Sequence, residues 1–186
     1  MTVRFKFSDS IDLIKNFKTT GTITPSSKNL VRRLLSPINF VDARCVVELG
    51  PGNGCVTRSI LERMQSDSIL VCLDVNNDFV AQLNKIQDSR LRVYNACASS
   101  MCKILDDLGI HKVDYIVSSL PLALIDGEMV ENILFAVDSN LKKGGRFLQY
   151  QYSLANYSDV KYFFRKVKLR FTMRNMPPAF VYECIK

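Results

Sequence analysis

Short apolar segments alternate with amphipathic segments through the centre of the chain. Cys45–Leu49 is rich in apolar and β-branched residues and stops at Gly50, which is typical of a buried parallel strand. Residues 55–64 follow with apolar positions at helical spacing, which predicts a helix. The same alternation continues along the chain and predicts five strands, at 45–49, 69–73, 91–94, 113–117 and 147–152.

Polar residues and glycines predict where the intervening helices begin and end. Asn77 is a candidate N-cap for the helix that carries the apolar residues from Phe79 to Ile86. Gly144 and Gly145 form a candidate stop for a helix over residues 128–141. A further helix is predicted near 159–166. Strands that alternate with helices in this way predict a doubly wound α/β fold.

Two more apolar segments, 168–173 and 180–185, flank the sequence Asn175-Met176-Pro177-Pro178. They predict an antiparallel hairpin at the edge of the sheet. The predicted sheet therefore has seven strands, five of them parallel. We divide the chain into an N-terminal helical segment, 1–44, and an α/β domain, 45–186.

The N-terminal segment contains an amphipathic pattern of its own. Apolar residues recur at helical spacing over Ile11–Phe17, with Lys15 and Lys18 beside them. A basic amphipathic helix is typical of a membrane-surface element, and a lid packed over a ligand site is the alternative. Thr24 and Pro25 predict the cap and first turn of the next helix.

Charge is unevenly distributed along the chain. Residues 1–44 have a net charge of +5, residues 45–141 of −6 and residues 142–186 of +8, which gives +7 in total. If the two basic ends lie together, they form a face that attracts phosphate groups of nucleic acid or of anionic lipid headgroups. A solvated basic surface without a partner is the alternative.

Composition excludes several classes of protein. With 186 residues, 47% of them hydrophobic and 23% charged, the chain is predicted to be globular. The apolar run Leu120–Ile125 is far shorter than the roughly 20 residues that span a bilayer. Residues 1–12 carry charges and no apolar stretch, so no secretory signal is predicted. The six cysteines have no C-x-x-C spacing, and we expect reduced thiols in a cytoplasmic protein without a structural metal.

The turn after the first predicted strand has the sequence ELGPGNG. Its glycines, Gly50, Gly52 and Gly54, let the backbone turn sharply and approach a ligand closely. The next helix presents free N–H groups at the same place. Dinucleotide-binding folds have a similar turn, and a turn required only for helix–sheet packing is a further alternative.

Two carboxylates narrow the choice of ligand. Glu48 precedes the glycines, where it would repel a pyrophosphate but can hold a cationic amino group. Asp74 ends the second predicted strand, where its carboxylate can accept both hydroxyls of a ribose. Together they suit an adenosine ligand that carries an ammonium group and no phosphate, which describes S-adenosylmethionine.

The stretches VVELGPGNG and LVCLDVN resemble class I S-adenosylmethionine-dependent methyltransferases. Four further stretches, in their order and spacing, resemble the bacterial phospholipid N-methyltransferase family, which is close to the ribosomal-RNA adenine dimethyltransferases. The resemblance covers residues 11–182 and implies a Rossmann-like sheet with helices on both faces and an N-terminal helical lid. The four stretches are GTITPSS (Gly21–Ser27), VDYIVSSLPL (Val113–Leu122), FLQYQY (Phe147–Tyr152) and RNMPPAFVY (Arg174–Tyr182).

The resemblance implies a cofactor site at the ends of the first strands. Glu48 and the three glycines would line the methionine end of S-adenosylmethionine, Asp74 would bind the ribose, and residues 96–98 would cover the adenine. An Asp stands in many of these enzymes where this chain has Cys97, which accepts a hydrogen bond from the adenine amine poorly. The implied cofactor-binding residues are Glu48, Gly50, Gly52, Gly54, Asp74, Val75, Ala96, Cys97, Ala98 and Ser118.

The resemblance also implies a methyl-acceptor site at the end of the fourth strand. Adenine methylases place an aromatic residue there so that the base can stack. This chain has Leu122 instead, which favours an aliphatic amine. Leu120 and Pro121 would line the substrate, and Ser118 and Ser119 would orient the amine.

Three residues further along complete the predicted site. Tyr152 would stabilise a methylated cation by cation–π attraction, and a rim tyrosine with a satisfied hydroxyl is the alternative. Arg174 and Asn175 are candidates for binding a lipid phosphate, and a plain structural turn is the alternative. His111, the single histidine, is expected to lie on the surface and not to act as a base.

These features predict an N-methyltransferase that acts on the amine of a phospholipid headgroup such as phosphatidylethanolamine. The expected partner is an anionic membrane surface, with the protein peripheral on the inner face of the membrane. The alternatives are an RNA adenine methyltransferase, a small-molecule methyltransferase, and a non-catalytic cofactor-binding or lipid-binding protein. Nucleic acid is the less favoured partner, because no stacking aromatic follows Pro121.

Overall fold

The computed structural model describes residues 28–172 and 178–186. The amphipathic pattern at 11–17, Thr24, Pro25, Arg174 and Asn175 lie outside the described residues. The α-helices in this part of the chain are α1 Lys28–Leu35, α2 Cys55–Leu61, α3 Asn77–Leu83, α4 Met101–Asp107, α5 Gly127–Asn140 and α6 Tyr157–Phe163. The strands are β1 Cys45–Leu49, β2 Ile69–Asp74, β3 Leu91–Asn95, β4 Val113–Ser118, β5 Leu141–Gln151, β6 Lys166–Thr172 and β7 Ala179–Ile185.

The strands form one sheet in the order β3-β2-β1-β4-β5-β7-β6. Strands β1 to β5 are parallel, and β7 lies antiparallel between β5 and β6. The predicted fold, a seven-stranded sheet with five parallel strands and an antiparallel edge, is confirmed. The strand order reverses between β1 and β4, and in open α/β sheets ligands bind at such a switch point, beyond the carboxyl ends of the strands.

Alternate residues of the central strands are buried on opposite faces of the sheet. In β1, Val47 and Leu49 belong to a core that also contains buried residues of α4, α5 and α6. Val46 belongs to a second core, which contains buried residues of α1 and α2. The fold therefore has helices on both faces, and α1 packs directly against the sheet through Leu30 and Leu34.

Two of the predicted signals for helix ends are wrong. Asn76, and not Asn77, caps α3: its backbone is extended and its side-chain oxygen accepts hydrogen bonds from the backbone N–H groups of Asp78 and Phe79. Gly144 and Gly145 do not end a helix, because α5 stops at Asn140 and the glycines lie within β5. Instead they allow an irregularity where the register between β4 and β5 shifts.

Several features of the described residues concern ligands and membranes. The six cysteines are free thiols; Cys45, Cys72 and Cys184 are buried and the others are half-buried. No described helix has both the length and the apolar character needed to cross a membrane. Within 28–172 and 178–186, no group of three His, Cys, Asp or Glu side chains is arranged to hold a metal ion. His111 is exposed, as predicted.

Candidate active site

The turn between β1 and α2 is tied to both neighbouring strands. The N–H of Gly50 donates to the carbonyl of Leu73 at the end of β2, at 2.9 Å. The N–H of Ser119, just after β4, donates to the carbonyl of Leu49 at 2.9 Å. Gly50 has a φ of +68°, and a Cβ there would lie 2.8 Å from Leu120 Cδ2. Glycine is therefore required both for the left-handed backbone and for the close approach of the loop that follows β4.

The remaining glycines of the turn have different surroundings. Gly52 has a φ of +54°, and a Cβ there would meet nothing within 4 Å. Its N–H donates to Asp74 Oδ2 at 3.0 Å, so the open space beside Gly52 borders the end of β2. Gly54 has a φ of +78° and is the N-cap residue of α2.

Glu48 is completely buried, with 0% of its surface exposed. The thiol of Cys72 donates to Oε2 at 3.5 Å, and Oε1 has no hydrogen-bond partner among the described residues. Burial, with a smaller contribution from the charge of Asp74, raises the pKa of Glu48 to about 7, against the opposing effects of the Thr57 hydroxyl and the Cys72 thiol. A buried carboxylate with a free oxygen is strongly stabilised by an incoming cation.

Asp74 lies on the same face of the sheet as Glu48. Glu48 is paired with Cys72, and Asp74 is two residues beyond Cys72 on β2, so the two carboxylates share a face at the carboxyl edge. Asp74 Oδ1 accepts from the N–H of Asn76 at 2.9 Å, and Oδ2 accepts from the N–H of Gly52. Each oxygen keeps a further lone pair, so the carboxylate can still accept two hydroxyl groups.

The residues predicted to contact adenine follow β2 and β3. Val75 is an apolar side chain with 71% of its surface exposed, directly after Asp74. The N–H of Ala96 donates to the carbonyl of Asp74 at 3.1 Å, which brings the loop after β3 beside it. Cys97 is half-buried, accepts a hydrogen bond from the Ser99 hydroxyl at 3.2 Å, and lies 3.7 Å from the sulfur of Met129 on α5.

The loop predicted to face the methyl acceptor, residues 118–122 and called the acceptor loop, follows β4. Ser118 is buried and its hydroxyl accepts from the N–H of Leu120 at 3.3 Å. Pro121 is exposed. Leu122 is 1% exposed and packs in the core on the α5 side of the sheet. The position that carries an aromatic ring in adenine methylases therefore belongs to the core here.

Two glutamines of β5, not identified from the sequence, hold the acceptor loop in place. Gln149 Nε2 donates to the carbonyl of Leu120 at 3.0 Å, and Gln151 Nε2 donates to the same oxygen at 3.3 Å. Gln149 is fully buried and stands opposite Ser118 in the register of β4 and β5. Two glutamines two residues apart in an apolar strand point to one face, and this spacing was the available signal.

Tyr152 follows β5 directly. Its ring packs edge-on against Tyr150, with the ring centroids 5.8 Å apart. Both tyrosines pack against the core that contains α1 and α2. Alternation along β5 therefore places Tyr152 on the face of the sheet that carries Glu48, opposite to the face of Gln149 and Gln151.

The order and direction of the seven strands are those of the class I methyltransferase fold, which solved methyltransferases share. The precorrin-6y C5,15-methyltransferase of Geobacter metallireducens has the same fold, with a TM-score of 0.70, 18% identity, and coverage of 89% of this chain and 93% of that one. The 1,6-didemethyltoxoflavin N1-methyltransferase of Burkholderia thailandensis, solved with S-adenosylhomocysteine, has a TM-score of 0.68 at 13% identity, covering 100% of this chain and 91% of that one.

No model of a known protein family matches the chain. The chain belongs to the family of the ornithine lipid N-methyltransferase of Singulisphaera acidiphila, to which it is 31% identical over 167 residues, 88% of this chain and 87% of the relative. The predicted resemblance to lipid N-methyltransferases is thereby confirmed, and the chain is an S-adenosylmethionine-dependent N-methyltransferase.

The high pKa of Glu48 predicts how the stability of the ligand-free protein depends on pH. The folded state holds this proton to about pH 7, whereas the unfolded chain loses it near its ordinary value of 4.5. The protonated Glu48 side chain therefore contributes its full stabilisation of the folded state below pH 4.5, and this contribution is lost as the pH rises to about 7. The loss is on the order of 3 kcal/mol. Urea unfolding of the wild type and of Glu48→Gln across this pH range measures the loss, because glutamine does not titrate. If the free energy of unfolding depended on pH in the same way in both proteins, Glu48 would not have a raised pKa.

Proposed function

We propose that this enzyme methylates the amine of a membrane-lipid headgroup. The observation that supports the proposal most directly is in the acceptor loop. Leu122, which is buried in the core, occupies the position of the aromatic residue on which a nucleobase would stack. A relative that is 31% identical is an ornithine lipid N-methyltransferase. An aliphatic amine needs no stacking surface, so a loop of this kind suits a lipid headgroup better than an extruded base.

The cofactor of the family fits the residues at the carboxyl ends of β1 and β2. An ammonium group beside Glu48 would supply both a donor for the unpartnered Oε1 and a charge that compensates the buried carboxylate. Asp74 keeps lone pairs for two ribose hydroxyls. The open space beside Gly52 leaves room for a ligand next to Asp74. Val75 and the segment Ala96-Cys97-Ala98 would contact the adenine.

S-adenosylmethionine, when bound, supplies a methyl group that is already activated on a sulfonium. The chain's own task is to hold a neutral amine in line with that group and to exclude water. Ser118 and Ser119 would orient the amine, while Gln149 and Gln151 fix the loop that carries them through the carbonyl of Leu120. The ring of Tyr152 would stabilise the methylated ammonium by cation–π attraction.

Two lipids are the first substrates to test. Ornithine lipid is the substrate named for the relative, and phosphatidylethanolamine is the substrate predicted from the sequence. Both present a primary aliphatic amine at the membrane surface, but only phosphatidylethanolamine has a phosphate. A preference between them will therefore show which of the two headgroups the site accepts.

Methyl transfer to purified acceptors tests this function. The enzyme is incubated with methyl-labelled S-adenosylmethionine and with ornithine lipid or phosphatidylethanolamine in detergent micelles, or with an RNA oligonucleotide. We expect label in at least one lipid and none in the RNA. No labelling of either lipid would overturn the proposal, and labelling of the RNA in its place would identify a nucleobase acceptor.

A further inference from the structure

The outer strand of the sheet, β6, has two contrasting faces. Lys166 and Lys168 are exposed on one face. On the other face, Leu169 and Phe171 expose 37% and 45% of their surface. We call Lys166, Lys168, Leu169, Phe171 and the neighbouring Phe180 the edge surface. It combines large apolar side chains with cations along a strand that, among the described residues, is paired only on the side of β7.

The apolar part of the edge surface is aligned with the acceptor loop. Phe171 is opposite Phe180 on β7, and their ring centroids are 5.0 Å apart. Phe180 is in turn opposite Gln151 on β5, which donates to the carbonyl of Leu120. Two strand spacings separate β6 from β5, so Phe171 lies about 10 Å from the strand that holds the acceptor loop. Phe171, Phe180 and Gln151 therefore lie near the carboxyl end of β5, beside the proposed active site.

The charge around this edge is predominantly positive. Residues 160–182 contain six basic side chains and no acidic one, and one of the six, Arg170, is paired with Glu183. Glu183 is completely buried, and its ion pairs with Arg146 and Arg170 neutralise its charge within the sheet. An edge of this kind attracts an anionic surface.

Lysines on an outer strand commonly serve to prevent edge-to-edge pairing. That role explains Lys166 and Lys168 but not the exposed Leu169 and Phe171, which would promote association. Pairing with a second copy of the chain would bring like charges together. An anionic bilayer can bind both the apolar and the basic side chains of the edge surface. Aromatic and aliphatic side chains enter the headgroup region, while lysine ammonium groups reach lipid phosphates.

We propose that the edge surface docks the enzyme on anionic membranes and so brings the acceptor loop to the lipid headgroups. The inference rests on the proposed lipid substrate and names the surface through which that substrate is reached. It is independent of the N-terminal segment, because every residue of the edge surface belongs to β6 or β7.

Vesicle flotation tests the proposal with the full chain. The probes are vesicles of equal parts phosphatidylglycerol and phosphatidylcholine, and vesicles of phosphatidylcholine alone. We expect the wild type to bind the anionic vesicles, and added salt to weaken binding because it screens exposed charges. Lys166→Glu/Lys168→Glu should weaken binding by about 25-fold, at about fivefold per lysine. Leu169→Ser/Phe171→Ser should weaken it by roughly tenfold.

Matched controls come from other faces of the protein. Phe135 on α5 is 63% exposed, and Lys103 on α4 is exposed. Phe135→Ser and Lys103→Glu should leave vesicle binding within about twofold of the wild type. Cofactor binding by every variant confirms that it is folded.

Several outcomes would overturn the proposal: no wild-type binding to anionic vesicles, edge-surface variants that bind like the wild type, or equal losses in the controls. If the edge-surface variants only change a monomer–dimer equilibrium and vesicle binding stays the same, the surface joins two copies and the proposal is wrong. Methyl transfer to lipid in detergent micelles does not require docking. Wild-type activity there with failed vesicle binding would therefore overturn only the docking surface, whereas inactivity towards lipid micelles would overturn the proposed function.

Discussion

Glu48→Gln is expected to raise the dissociation constant for S-adenosylmethionine by about 100-fold or more. Leaving a buried charge without its partner costs about 3–5 kcal/mol, and 2.7 kcal/mol already corresponds to about 100-fold. Glu48 is fully buried and Oε1 has no partner in the described part of the chain, so the ammonium group of the ligand would be its principal counter-ion. Glutamine keeps the size of the side chain but removes the charge. Isothermal titration calorimetry of both proteins measures the difference.

Two controls separate this effect from a general disturbance of the pocket. Glu62→Gln removes an exposed carboxylate at the end of α2 and should leave the affinity unchanged. 5′-Methylthioadenosine lacks the ammonium group, so Glu48→Gln should bind it about as well as the wild type does. Equal affinity of the wild type and Glu48→Gln for S-adenosylmethionine would show that the carboxylate does not hold the cofactor.

Gly52→Ala is expected to weaken S-adenosylmethionine binding by about tenfold or more. Gly52 lies beside Asp74, and a Cβ there would meet no described atom within 4 Å, so it would enter the space that we propose for the cofactor. A methyl group in space that a ligand needs costs on the order of 1–3 kcal/mol. The left-handed φ of +54° adds a cost to folding of about 1–2 kcal/mol.

Gly109→Ala is the matched control for this substitution. Gly109 follows α4 with a φ of +71°, and a Cβ there also meets nothing within 4 Å. Both variants should therefore lose similar stability in thermal unfolding, but only Gly52→Ala should lose affinity for the cofactor. Similar affinities in the two variants would mean that the space beside Gly52 is not part of the cofactor site.

The strands of the fold were predictable because the central sheet is buried on both faces. The run Cys45–Leu49, for example, is buried along its whole length and is interrupted only by Glu48. Helix α4 was not predicted, because its short sequence buries only Met101 and Leu105 and presents no clear cap. Gly144 misled the prediction of a helix end, since a glycine with positive φ serves an irregular strand as readily as a helix end.

The two carboxylates of the candidate site could also be predicted. A glycine-rich turn that follows Glu48 and precedes Asp74 suits a ligand with an ammonium group and a ribose. The surroundings of these carboxylates could not be predicted. The approach of Thr57 and Cys72 to Glu48, and of Met129 to Cys97, depends on helices that pack from distant parts of the chain. Local periodicity contains no information about such contacts.

Calorimetric titration of the wild-type enzyme with S-adenosylmethionine at pH 6, in two buffers of different ionisation enthalpy, tests whether Glu48 holds the ammonium group of the cofactor. At this pH Glu48 is mostly protonated in the free enzyme, because its pKa is raised to about 7. Binding of the ligand's ammonium group should ionise it. We expect one bound molecule per chain and release of a proton to the buffer, and we expect no such release in Glu48→Gln. No binding, or binding with the same proton balance in both proteins, would contradict this role of Glu48.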